Sequence, residues 1–219
     1  MAATRSLHLL RKSLQDRSAA TVKRLAEATT RLLETRDFDS IAVDEIVAAA
    51  KASKGAFYFR FRTKADLLRY LAEDAFEAIS SESSAFLKSA EARRLSLEAF
   101  VTEFIDVAAR TYTTRRNLLR ALLEQTRPGG DLVIAALVRA GSAESIRGLA
   151  AALERRKREM RCPDKDIAIA TALVVLGVAL RNSCLFPEQV SSVNGLTPAR
   201  FRLELGRLVM AYLRPSRRG

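Results

Sequence analysis

Apolar residues recur at helical spacing along almost the whole chain, and this periodicity restricts the fold more than any other feature. In residues 18–36, for example, Val22, Leu25, Leu32 and Leu33 fall on one helical face. Residues that interrupt helices are few, with 9 Gly and 5 Pro among 219 residues. No stretch alternates with the period of two that is typical of half-buried strands. The sequence therefore predicts an all-α fold.

Capping and turn residues divide this pattern into separate helices. Ser18, Ser53 and Thr63 precede apolar periodic runs, where a side-chain oxygen can accept from the first backbone amides. A Pro-Gly-Gly run at 128–130 and an irregular stretch at 186–196 are predicted breaks. The predicted helices are 18–36, 43–50, 54–59, a long helix from 63, 95–112, 115–126, 131–160, 163–185 and 197–213.

The spacing of these helices predicts three regions. Residues 1–16 are expected to form a flexible basic arm. Residues 17–70 are expected to form a three-helix domain with two short helices at its centre, and 71–219 a larger helical domain.

The net charge of +12 and the pI near 10.4 favour polyanionic partners, either nucleic acid or an anionic membrane surface. The two most basic stretches, 1–24 and 51–69, lie near the N-terminus. Residues 51–69 hold six Lys and Arg against one acid, Asp66. A second basic run, 155–158, is expected to lie on a solvated helix face.

Catalytic and metal-dependent chemistry finds little support. His8 is the one histidine and has no partner of metal-ligand spacing, and no Gly-rich phosphate loop is present. We therefore expect no enzymatic activity, metal or cofactor. Cys162 and Cys184 are expected to be reduced thiols of a cytoplasmic protein, because no signal peptide and no apolar run of membrane-spanning length is found.

The short helices at 43–50 and 54–59, joined by residues 51–53, have the spacing of a helix-turn-helix. The second helix of such a motif enters the major groove of DNA and needs one buried and one exposed face. Phe57 and Phe61 are expected to point into the core. The outward residues are expected to be Ser53, Lys54, Ala56 and Phe59, with Tyr58 beside them and Gly55 allowing close approach.

Residues 21–71 resemble the DNA-binding domain of TetR-type repressors. Residues 53–61, S-K-G-A-F-Y-F-R-F, are similar to the family's S-K-G-T-L-Y-x-x-F, and 63–68, T-K-A-D-L-L, resemble its S-K-E-x-L-L. The chain departs from the family at four positions: Lys51 replaces a turn glycine, Ala42 and Ala56 replace threonines, and Phe59 replaces the histidine of a commoner Tyr-His pair. We expect Lys51 to adopt a positive φ or the turn to differ slightly.

The resemblance implies that Tyr58 and Lys64 hold phosphates and that Lys54 reaches a phosphate or a guanine edge. The expected DNA-binding residues are Lys23, Arg24, Ser53, Lys54, Gly55, Ala56, Tyr58, Phe59 and Lys64.

The resemblance also implies a homodimer formed by the last two long helices. The segment 167–180 is apolar nearly all round, which either a dimer interface or burial in a monomer core would explain. The expected interface residues are Ile167, Ala170, Thr171, Val174, Val178, Phe201, Leu205, Leu208, Val209 and Tyr212.

A small-molecule pocket is expected among the helices between about residues 85 and 185. No constellation of residues there identifies a ligand. The candidate lining residues are Phe86, Phe100, Phe104, Tyr112, Asn117, Arg120, Glu124, Arg181 and Asn182.

Together these features predict a ligand-responsive transcriptional repressor that binds a palindromic operator in double-stranded DNA. The alternative is a basic helical membrane-surface or adaptor protein without sequence-specific DNA binding. Sequence-selective duplex binding separates the two hypotheses, since the alternative predicts binding to anionic vesicles instead.

Overall fold

A computed structural model describes residues 19–193 and 195–215, and within these ranges the regular structure is helical, without strands. Predictions about the 1–16 arm and the Ser18 cap lie outside the described residues. The helices are α1 (19–32), α2 (Val43–Ala49), α3 (Lys54–Tyr58), α4 (Lys64–Lys88), α5 (Ala90–Arg94), α6 (Leu97–Thr114), α7 (Arg116–Glu124), α8 (Leu132–Glu154), α9 (Lys165–Leu185), α10 (Pro187–Ser191) and α11 (Pro198–Leu213), with 3-10 turns at Phe38–Ser40 and Lys157–Glu159.

Polar side chains fix where the helices begin. Ser53 Oγ accepts from Ala56 N at 3.1 Å at the start of α3, as its position predicts. At the start of α4, Thr63 N and Oγ1 both donate to Asp66 Oδ2, and Asp66 N donates back to Thr63 Oγ1. This reciprocal cap lowers the pKa of Asp66, the Thr63 side-chain bond being the largest cause.

The chain divides into two compact units, with Ala72 the last residue of the first and Glu73 the first of the second. The described part of the first, the N-terminal unit, contains α1 to α3 and the first nine residues of α4. Its core is formed by side chains that are almost fully buried: Leu25, Ile41, Ile46, Phe57, Leu67 and Leu68.

The second, the C-terminal unit, is built around α9, which contacts α6, α7, α8, α10 and α11. By length and composition alone α9 could cross a membrane. Eight of its residues are nevertheless buried, among them Ala168, Ala172, Leu176 and Leu180, which join a core with α6, α8 and α11. Cys162 and Cys184 are buried and not disulfide-linked.

Two short helices, α5 and α10, were not predicted, because five residues are too few to show a period of 3.6. The long predicted helix 131–160 ends earlier, at Glu154, and is followed by the turn at Lys157–Glu159.

The prediction that the basic run 155–158 lies in solvent is wrong for Arg156. Its side chain is buried, and its guanidinium donates to Leu95 O, Ala92 O and Ala152 O. The same guanidinium lies 4.0 Å from the centre of the Phe100 ring. Arg156 therefore joins α5, α6 and α8 through carbonyls whose positions no local sequence pattern indicates.

Candidate nucleic-acid interface and ligand cavity

The turn between α2 and α3 is closed by a residue in the left-handed region. Lys51 has a φ of 51°, which confirms the expectation that it adopts the conformation of the glycine it replaces. A non-glycine residue there costs about 1 kcal/mol. The bond from Ala52 N to Val47 O, 2.9 Å long, holds the turn.

Helix α3 has the two faces that the sequence predicts. Phe57 and Phe61 are buried, and their ring centroids lie 5.7 Å apart. On the other face Tyr58 is 53% exposed and Phe59 is 78% exposed, with the Arg60 guanidinium 4.7 Å from the Phe59 ring centre. Large apolar surfaces exposed side by side are unusual on a basic helix, so this face is a candidate contact surface.

Gly55 lies on the exposed side of α3. A Cβ built there would meet no atom nearer than Ser53 Oγ, at 3.9 Å. Glycine in a helix costs about 0.5–1 kcal/mol relative to alanine. Since packing within the unit does not require glycine, the open space at this position is available to an approaching molecule.

Lys54 begins α3 and is paired across the turn. Its Nζ lies 2.7 Å from Asp44 Oδ1, and both side chains are largely exposed. The hydrogen bond with Asp44 raises the pKa of Lys54. The lysine therefore stays charged on the exposed side of α3, while Ala56 beside it is half-buried.

Lys64 occupies a place that the resemblance did not imply. Its Nζ donates to Phe38 O at 2.8 Å, Ile41 O at 2.9 Å and Asp39 O at 3.2 Å, and lies 4.6 Å from the Phe38 ring centre. An ammonium has three N–H donors, and all three are used here. A phosphate contact by Lys64 would therefore have to replace one of these bonds.

A second network orders the segment before α2. Arg36 donates to Glu45 and to Ser40 O, and Glu45 Oε2 accepts from Ala42 N at 2.8 Å. The Ala42 amide and then Arg36 lower the pKa of Glu45. Sequence reasoning noted Glu45 only for its position in the first turn of α2 and missed this role.

Lys23 and Arg24 are exposed on α1. Lys23 Nζ lies 3.9 Å from Glu27 Oε1, and Arg24 donates to Thr21 Oγ1 at 3.3 Å. Both bonds are weak and solvent-accessible, so neither fixes its cation in place.

The C-terminal unit contains a partly open cavity of about 250 Å³ between α4, α6, α7, α8 and α9. Three of the candidate lining residues, Phe104, Tyr112 and Arg181, are on the wall of this cavity. The Arg181 Nε is buried and has no hydrogen-bond partner among the described residues. Most other lining residues are apolar: Phe76, Ile79, Leu119, Leu122, Leu123, Val138, Ile146, Leu173, Val174, Leu176 and Val178.

The other six predicted lining residues lie elsewhere. Phe86 and Phe100 stack on each other in the core, with ring centroids 5.9 Å apart. Arg120 lies over the Phe186 ring, 5.0 Å from its centre, and 3.8 Å from Glu188. Three further polar residues are also outside the cavity wall: Asn117, Glu124 and Asn182.

The predicted dimer residues separate into two groups. Leu205 and Val209 are buried in the core of the C-terminal unit, which corrects their expected place in an interface. Phe201 and Thr171 are half-buried, and Phe201 packs on the same core. The exposed members, which we call the apolar stripe, are Ile167, Ala170, Val174 and Val178 on α9 and Leu208 and Tyr212 on α11.

The geometry of α2, the turn and α3 defines a helix-turn-helix domain. Residues 19–71 match the family model described as bacterial regulatory proteins, tetR family. The chain is also 40% identical over 63 residues to the HTH-type transcriptional regulator YwcC of Bacillus subtilis (strain 168). That match covers 29% of this chain and 28% of the relative's length.

Solved structures resemble almost the whole chain. A bacterial regulatory protein in the tetR family from Rhodococcus RHA1 matches with a TM-score of 0.68 and 12% identity, over 90% of this chain and 98% of that one. The MbdR regulator from Azoarcus sp. CIB matches with a TM-score of 0.63 and 18% identity, over 88% of this chain and 97% of that one. At these identities the likeness shows the fold.

Residues 19–71 therefore form a DNA-binding domain of the tetR family, and the helical fold of the chain resembles that of solved tetR-family structures. The relatives that match are described as bacterial regulatory proteins or transcriptional regulators.

Proposed function

We propose that this protein is a sequence-specific DNA-binding regulator that acts in the cytoplasm as a homodimer, and that it is a repressor whose operator affinity falls when a small molecule occupies the cavity. The exposed face of α3 is the main support. Its aromatic and basic side chains are presented to solvent while Phe57 and Phe61 anchor the helix.

In this proposal Ser53, Lys54, Gly55, Ala56 and Phe59 face the major groove, and Tyr58 positions the helix on a phosphate. Lys54 exchanges its exposed Asp44 partner for DNA, which costs little because the pair is solvated. Lys23 and Arg24 are proposed to reach the backbone from α1.

Selection of duplexes from a random pool with the full chain tests the proposal. We expect one enriched site with two-fold symmetry over a salt-sensitive background. Vesicle binding without duplex enrichment would instead support the membrane-surface alternative.

Lys54→Ala tests the role of α3. We expect specific binding to weaken by about 1–3 kcal/mol if Lys54 contacts a guanine edge, or the salt slope to fall by about one if it contacts a phosphate. Lys88→Ala, at the exposed end of α4 in the C-terminal unit, is the control for loss of one charge. Equal behaviour of the two variants would remove Lys54 from the contact surface.

Homodimer formation is proposed to cover the apolar stripe, because contiguous exposed apolar surface is costly on a monomer. Val174→Asp is expected to shift the sedimentation profile towards monomer. Leu132→Asp, at an exposed position on α8 outside the stripe, is expected not to do so. A Val174→Asp protein that sediments like the wild type would argue against this interface.

The proposed ligand response acts through α4. Phe76 and Ile79 of α4 line the cavity, and a Cβ at Gly141 of α8 would lie 2.8 Å from the Phe76 ring. A molecule that displaces Phe76 would shift α4, which continues without interruption from Lys64. Linkage then requires that DNA weaken ligand binding by the same factor.

Gly141→Ala mimics this displacement without a ligand. We expect it to lower operator affinity several-fold, because the added methyl pushes on Phe76. Gly177→Ala is a matched control, since a Cβ there meets nothing within 4 Å. Equal operator affinity for both variants would exclude this coupling route.

A further inference from the structure

The polar side chains of the cavity are few and come from three helices. Ser142 and Ser145 on α8 contribute hydroxyls, Tyr112 on α6 contributes a phenol, and Arg181 on α9 contributes a guanidinium. Of the residues that line the cavity, Arg181 alone carries a full charge. A ligand of this cavity therefore meets apolar walls and one cation.

Arg181 lacks an acceptor that its position requires. Its Nε is buried, and neither a hydrogen bond nor an ion pair joins Arg181 to the rest of the described chain. Nearly all buried polar groups in native proteins have a partner, because an unsatisfied one is strongly unfavourable. The missing acceptor has to come from outside the described residues.

Tyr112 adds a second hydrogen-bond donor among the residues that line the cavity. Burial raises the pKa of its phenol, while the nearby charge of Arg181 acts in the opposite direction. The phenol is therefore protonated at neutral pH and available to donate. The cavity therefore offers two hydrogen-bond donors, one of them cationic, and no acidic side chain lines it. Such a pair of donors matches the two oxygens of a carboxylate.

We propose that the effector is an organic carboxylate with an apolar body, whose carboxylate accepts hydrogen bonds from Arg181 and Tyr112. The proposal rests on the ligand-responsive function above and specifies its ligand. A volume of 250 Å³ is about that of eight water molecules in the liquid and admits on the order of ten to fifteen non-hydrogen atoms. The apolar body would lie along α4, α7 and α8.

Calorimetric titration of the full chain tests this with matched probes. Decanoate is compared with decanamide, and 4-phenylbutyrate with 4-phenylbutanamide, so that each pair shares its apolar body and differs only in an anionic or a neutral head group. We expect at least one of the carboxylates to bind about tenfold or more tighter than its amide, as for hydrogen bonds to charged groups. Decyltrimethylammonium is expected not to bind. Amides that bind as tightly as the acids, or failure of both acids to bind at millimolar concentration, would overturn the proposal.

Arg181→Met should abolish the preference for the carboxylate, bringing the affinity ratio of acid to amide close to one. Arg139→Met, which removes an exposed arginine of α8, should leave that ratio unchanged. A preference that survives in Arg181→Met would overturn the assignment. Circular dichroism of both variants verifies that they are folded.

Operator binding measured on the same samples tests the ligand class and the regulatory function separately. Operator binding without carboxylate preference would refute the ligand class and leave the regulator intact. Carboxylate binding that leaves operator affinity unchanged would refute the ligand-responsive function and leave the site intact.

Discussion

The N-terminal and C-terminal units differ in the hydrogen-bond partners of their cationic side chains. Lys64 in the first unit has all three donors on backbone carbonyls, and Arg36 is held by Glu45 and Ser40 O. Arg181 in the second unit has a buried Nε without an acceptor. Across residues 19–72, by contrast, every buried side-chain nitrogen and oxygen has a partner.

This difference is not a general property of the C-terminal unit. Arg156, in the same unit, is more deeply buried than Arg181, and each of its three guanidinium nitrogens donates to a backbone carbonyl. The unit is able to satisfy a buried guanidinium and does so where its role is structural. The described buried polar side-chain atoms of the N-terminal unit therefore have their hydrogen-bond partners within the chain, whereas Arg181 Nε at the cavity wall does not.

Arg156→Met should give the largest loss of stability. It removes the guanidinium donors to Ala92 O and Leu95 O, and we expect the free energy of unfolding to fall by about 3 kcal/mol. Denaturant unfolding measures this change. Arg155→Met, at the exposed neighbouring position, is the control. A loss no greater than that of the control would mean that the carbonyl bonds are dispensable.

Lys64→Met should destabilise the protein by about 2 kcal/mol, since three carbonyls lose their donor. Thermal unfolding gives this value. Operator affinity should fall with stability, while the slope of its logarithm against the logarithm of salt stays constant. A slope reduced by about one would instead indicate that Lys64 contacts a phosphate, as the family resemblance implies.

Arg181→Met should change the free energy of unfolding by less than about 1 kcal/mol, because it removes a buried donor that has no partner to lose. The same denaturant experiment measures it beside Arg156→Met. A loss comparable to that of Arg156→Met would show that Arg181 has a structural acceptor and would remove the contrast between the two arginines.

Glu45→Gln should have the smallest effect, a loss of stability that is present at neutral pH and fades in acid. The pKa of Glu45 is lowered in the folded protein, so its stabilisation is complete above the usual value of 4.5 and is lost as pH falls through the lowered value. The variant should therefore lose less stability than the wild type between pH 5 and pH 3. Glu34→Gln, an exposed residue of the same unit, controls for charge. Identical acid profiles for wild type and Glu45→Gln would contradict the proposed cap.

The sequence predicted α3 and its turn in detail because their determinants are local. The Ser53 cap, the four-residue spacing of Phe57 and Phe61 and the turn position of Lys51 all lie within eleven residues. The carbonyl partners of Lys64 were not predicted, because they lie 23 to 26 residues away in the sequence. Nothing in the spacing of a helix-start lysine indicates which distant backbone it will reach.

The cavity was predicted less well for the same reason. Helical periodicity identifies inward-facing residues but not which inward positions leave space between them. Phe100 and Phe104 are four residues apart on one face of α6, yet Phe100 is buried in the core and Phe104 lines the cavity. That distinction depends on packing among five helices, which a single sequence does not specify.

The cavity wall and the apolar stripe share Val174 and Val178, both about half exposed or more. In a dimer built on that stripe, the second subunit would act as a lid over this part of the wall. Ligand exchange would then occur at the rate at which the subunits part or loosen, not at the rate of diffusion. The residence time of the effector would then be long. The change in operator binding would persist for some time after the free concentration of the effector has fallen.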